Sequence, residues 1–132
     1  MAEVTDTVDG ALLPEDLAAE RYCLLTTEGR VTSRRHTAEL WFVPAEGGVY
    51  LMSGSGGLTQ WYLNLQAEER AVLRIGGNTW LTRAAFLSHQ DPVRTAALSR
   101  FHDEYDPPGK DRREPWLREA TVAHLVVLRH LG

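Results

Sequence analysis

At 132 residues the chain has room for one domain and can bury a core without cross-links. Its single cysteine, Cys23, excludes an internal disulfide framework, and a net charge of −4 argues against nucleic acid as a partner, because neutralising phosphates takes a basic excess. No apolar stretch approaches the roughly 20 residues of a membrane-spanning helix, and residues 1–10 carry acids rather than a basic secretory leader, so a cytoplasmic protein is expected.

In chain order, residues 1–12 read as a mobile polar tail, and one domain is expected over 13–132. Pro14 followed by Glu15 and Asp16 predicts a short helix over 13–20, since proline suits a first turn and acids suit the helix dipole there. Residues 22–27 are strand formers that stop at Glu28-Gly29, and 36–43 predict a second strand. The two glycines of 44–48 predict a turn, so the strand over 49–53 should form a hairpin with the second. Glycines then break the strand over 53–57, and a helix is expected over 58–65, burying Leu58, Trp61, Tyr62 and Leu65 on one face. Strands over 70–75 and 79–87 flank a tight Gly-Gly-Asn turn. Asp91-Pro92 is a cap followed by proline at the first helical position, predicting a helix to about Tyr105. A loop over 106–113, a helical turn over 115–120 and a last strand over 121–131 complete the chain. About six strands, mostly joined by hairpins with helices inserted, make the protein mainly β: an antiparallel β-barrel with helical insertions.

Two segments stand out chemically. Ser53-Gly54-Ser55-Gly56-Gly57 places a glycine-rich junction directly before a helix, where backbone N–H groups and the helix dipole can hold an anion. A plain tight turn explains the same residues. Arg30, Arg34, Arg35 and His36 form a cationic loop with no acid among them, which suits a small anionic ligand and equally a solvated surface loop. Trp61 reads as core or as a ring-stacking residue, and Asn64, one turn further on, as a cofactor contact or a surface residue. Cys23 reads as a small buried hydrophobe. The five histidines lack ligand spacing with cysteine or acid, so no metal site is expected.

The order of these segments resembles the deazaflavin-dependent nitroreductase and quinone reductase family, within the flavin-binding split barrels. The matching residues are Leu24-Leu25-Thr26-Thr27-x-Gly29-Arg30, Thr37-x-x-Leu40-Trp41-Phe42-Val43, the junction 53–57, Trp61-x-x-Asn64-Leu65 and Val72-x-Arg74-Ile75-Gly76-Gly77. The resemblance implies a split β-barrel of the FMN-binding, pyridoxamine-phosphate-oxidase-like type. It implies an oxidoreductase that binds the deazaflavin coenzyme F-420 (FMN being the alternative cofactor) and reduces a quinone, nitro compound or activated double bond. The cofactor-binding residues expected are Arg30, Arg34, Arg35, His36, Thr37, Ser53, Gly54, Ser55, Gly56, Gly57, Trp61 and Asn64. Trp41, Tyr105 and Trp116 are expected to border the acceptor. No catalytic side chain is required, because such a coenzyme carries the chemistry. A redox-neutral ligand-binding role on the same scaffold stays open, as does a homodimer, since related split barrels commonly pair.

Overall fold

The computed structural model describes residues 20–54, 57–106 and 108–132. The predicted tail, nearly all of the helix predicted over 13–20, and Ser55 and Gly56 lie outside the described residues.

Seven strands form one antiparallel sheet: β1 (Tyr22–Glu28), β2 (Arg35–Trp41), β3 (Val43–Ala45), β4 (Gly48–Ser53), β5 (Arg70–Ile75), β6 (Asn78–Phe86) and β7 (Thr121–His130). Their order across the sheet is β2-β1-β5-β6-β7-β4-β3. Consecutive strands β2 and β3 thus sit at opposite edges, so the short link at Phe42 ties the two edges together and curls the sheet into an open half-barrel. Strand alternation fills the inside: Cys23, Leu25, Val49, Leu51, Leu73, Trp80, Leu125 and Val127 point into one apolar core.

Three helices complete the described structure: α1 (Gln60–Ala67), α2 (Pro92–Tyr105) and α3 (Arg113–Glu119). Trp61, Tyr62 and Leu65 of α1 join the interior core. Helix α2 begins as predicted, with the Asp91 carboxylate accepting from the Val93 N–H at 2.9 Å. It lays Ala97, Leu98 and Phe101 over the outer side of the sheet at Val43 and Val122, where Trp116 of α3 joins them in a second core.

Two expectations are corrected. The single strand expected over 36–43 is two, because the Phe42 N–H and C=O are bonded to the Tyr105 hydroxyl instead of to a neighbouring strand. The hairpin with β4 therefore belongs to β3 alone, turning at Gly47 with φ +72°, while β2 pairs with β1. Leu58 lies outside α1 and is 71% exposed, so the buried face of the helix starts at Trp61.

Candidate functional site

At the end of the barrel beside α1, the β1–β2 connection stands over a groove of about 270 Å³. Among the residues expected to bind a cofactor, Arg30, His36, Thr37, Trp61 and Asn64 line it. Thr27, Gly29, Val31 and Gln60 line it too and were not anticipated. The alternation Cys23, Leu25, Thr27 was the available signal for Thr27, since it turns that residue inward.

The connection is preformed. The Gly29 N–H donates to the Arg34 carbonyl at 2.7 Å and the Ser33 N–H to the Gly29 carbonyl at 2.8 Å, with Ser33 in the left-handed region at φ +64°. Gly29 permits the close packing of His36: a Cβ at position 29 would lie 2.7 Å from the His36 Nε2. Arg30 is anchored across the groove. Its Nη1 donates to the Asn64 Oδ1 at 2.8 Å and its backbone N–H to the same oxygen at 3.2 Å. Asn64 in turn donates through Nδ2 to the Thr27 Oγ1 at 3.2 Å. Asn64 and Thr27 are buried, so their bond is shielded from water and correspondingly firm, while Arg30 itself is exposed. The Trp61 indole, edge-on to Tyr62 at 5.6 Å, forms part of the floor.

The remaining expected residues are placed elsewhere. Arg35 lies one residue from His36 on β2 and so on the other face, in a separate hollow with Glu28, Glu68 and Arg70. Arg34 does not line the groove, and no side-chain partner is recorded for it among the described residues. Ser53 is buried, its Oγ accepting from the Thr59 hydroxyl at 2.9 Å. Gly57, at φ +80°, packs against Tyr62 and Thr121, and Gly54 faces the Trp116 indole nitrogen, 3.8 Å from where a Cβ would stand. Gly54 and Gly57 thus shape the turn into α1 rather than line the groove.

Trp41, Tyr105 and Trp116 do come together, in an aromatic cluster on the outer side of the sheet. Trp41 stacks on Tyr105 with centroids 4.6 Å apart. The Arg112 guanidinium lies over both Trp41 and Trp116, at 5.5 and 5.0 Å. Asp106 holds Arg112 by a hydrogen bond from Nε at 2.7 Å and pairs with His102 at 2.9 Å.

A larger hollow of about 420 Å³ is walled by Glu20, Arg21, Glu39 and Arg74, two acids and two bases whose fields oppose each other. Among the described residues, the groove beneath Arg30 has no acid in its lining. It combines a fixed guanidinium, an indole floor and free space between them, which is what a flat anionic molecule requires.

A family model described as F420H(2)-dependent quinone reductase matches residues 3–115, most of the chain. The chain belongs to that family. It is an oxidoreductase whose cofactor is the deazaflavin coenzyme F-420. No curated protein matches this reductase. Among solved structures it is similar to a conserved hypothetical protein, Rv2991, from Mycobacterium tuberculosis (TM-score 0.70, 14% identity, 92% of this chain and 84% of that chain). It is also similar to a putative pyridoxamine 5'-phosphate oxidase from Listeria innocua (0.68, 10%, 89% and 91%) and to an F420-H2 dependent reductase, FDR-A (0.61, 18%, 79% and 94%). At these identities the likeness is one of fold, and it places the reductase among the split barrels. No helix among the described residues is long and apolar enough to cross a membrane.

Two buried ionisable groups are shifted toward their neutral forms. Burial pushes the Cys23 thiol up to about 12, which leaves it protonated and inert. Burial likewise raises the Tyr105 hydroxyl above its ordinary value, partly offset by its bond to Phe42.

Proposed function

We propose that the groove between the 29–34 connection and α1 holds the coenzyme, and that the protein reduces a small electron-poor acceptor: a quinone, a nitro compound or an activated double bond. The observation that carries this reading is the Arg30 guanidinium, tethered to Asn64 beside Trp61 in a lining whose described residues include no acid. When bound, the reduced deazaflavin supplies a hydride to the acceptor. The protein's own work is binding, orientation and exclusion of water. Among the described residues Arg30 spends one side-chain N–H, on Asn64, and so keeps donors for an acidic group. The aromatic floor at Trp61 offers an apolar surface to a ring system. His36, opposite Thr27 across the β1–β2 ladder, adds a polar edge to the groove mouth.

Titration with oxidised and reduced deazaflavin, following tryptophan fluorescence, tests the proposal. Saturable quenching, with turnover of menadione or a nitroaromatic, is the expected result. A protein that purifies yellow with a flavin absorbance band and ignores the deazaflavin points to FMN instead. A protein that binds neither rejects the redox reading of this groove.

A further inference from the structure

Among the residues around the groove, Asn64 has an unusual position. The residue is 3% exposed on α1, and both ends of its amide are turned onto β1 and the connection that follows it. Oδ1 accepts twice from Arg30, from the backbone N–H and from Nη1, and so uses both of its lone pairs. Nδ2 donates to the Thr27 Oγ1, itself buried at the inward end of β1. With both acceptor lone pairs and one of its two N–H groups spent in this way, the side chain keeps a single N–H for any ligand. It is well suited to fix the main chain and side chain of Arg30 together.

The geometry points to Asn64 as a positioning residue: a splint that presets Arg30 over the groove, so that coenzyme binding does not have to order the connection. This inference rests on the proposed function of the groove. Arginine carries many rotamers, and holding it in its binding geometry beforehand removes an ordering cost that the ligand would otherwise bear. The double anchor matters here. A bond to Nη1 alone would restrain the guanidinium on a mobile loop, whereas the second bond, to the Arg30 N–H, also restrains the backbone from which the side chain hangs. Thr27 completes the splint by holding the amide in the orientation that presents oxygen to Arg30.

The test is a double-mutant cycle in deazaflavin affinity, read by tryptophan fluorescence, together with hydrogen–deuterium exchange at the Arg30 amide in the coenzyme-free protein. Asn64→Ala is expected to weaken binding roughly tenfold, the equivalent of one charge-assisted hydrogen bond. It should have almost no effect in an Arg30→Ala background, because the splint acts only through Arg30. The Arg30 amide should exchange faster in Asn64→Ala without coenzyme, a change that a loss of global stability alone would spread over the whole sheet. Additive losses across the cycle overturn the inference, by making Asn64 a ligand in its own right, and so does unchanged protection of the Arg30 amide. If Asn64→Ala does not fold, Thr27→Val frees the Nδ2 end of the amide and is read in the same two ways. Loss of the groove reading itself has a different signature: wild type and Arg30→Ala then bind the coenzyme equally, or not at all.

Discussion

The Tyr105 hydroxyl donates to the Phe42 carbonyl at 2.6 Å and accepts from the Phe42 N–H at 3.2 Å, so the last residue of α2 satisfies both backbone groups at the point where β2 gives way to β3. The same oxygen lies 2.9 Å from the Arg21 carbonyl, at the chain's approach to β1. One phenol therefore holds the link across the open side of the barrel.

Tyr105→Phe should cost about 1–3 kcal/mol, the penalty for leaving buried backbone groups unpaired, measured by thermal or urea unfolding. Burial raises the folded-state pKa of this hydroxyl above its ordinary 10.0. The stability it contributes is complete below 10.0 and is lost as pH rises through the folded value. The difference between wild type and Tyr105→Phe should therefore shrink on the alkaline side, and a gap that stays constant there refutes this assignment.

Asp106 behaves in the opposite sense. Burial opposes its charge, but hydrogen bonds from Arg112 and His102 outweigh burial and hold its carboxyl below the ordinary 3.8. Its stabilisation is present above 3.8 and is lost as pH falls through the lowered folded value. Asp106→Asn should melt lower than wild type near neutrality and converge with it in strong acid. Melting curves across that range check the sign.

Arg94 is buried without an acid partner among the described residues. Its guanidinium donates to the carbonyls of Ala120 at 2.8 Å, Leu117 at 2.9 Å and Trp116 at 3.1 Å, and so terminates α3 from α2. Arg94→Met removes these donors and should cost about 2–3 kcal/mol. Arg94→Lys should restore little of it, since a compact ammonium cannot span three carbonyls. Chemical denaturation of the two variants decides.

Gly48 and Gly77 separate close approach from open space. A Cβ at Gly48 would stand 1.8 Å from the Leu125 carbonyl oxygen on the neighbouring β7, whereas at Gly77 it meets nothing within 4 Å. Gly48→Ala should destabilise by about 3 kcal/mol or abolish folding by prising β4 from β7. Gly77→Ala should be nearly neutral. Comparable melting temperatures for both would contradict the packing.

Within the groove, Arg30→Ala should weaken deazaflavin binding roughly tenfold or more, as expected for a lost charged hydrogen bond. Arg35→Ala, on the opposite face of β2, should change affinity by less than about twofold, because solvent screens an exposed charge outside the site. Fluorescence titration of both variants checks the split, and equal losses would argue for a wider site.

Much of this protein was readable in the chain. The alternation of 22–27, the boundaries 70–75, the Asp91-Pro92 start and the end at Tyr105 follow from local rules: side chains alternate along a strand, and a cap satisfies the first free N–H groups of a helix. The order of segments also carried the family and its coenzyme, as the match over residues 3–115 shows. What local rules could not reach was decided by partners distant in sequence. Residues 36–43 favour strand throughout, and only a hydroxyl 63 positions away breaks them at Phe42. Arg30, Arg34 and Arg35 look alike in sequence, yet strand parity turns Arg35 outward, while Asn64, 34 positions on, captures Arg30. Local pattern selects the elements. Which charge faces the groove depends on register and on long-range hydrogen bonds, which exist only once the barrel has closed.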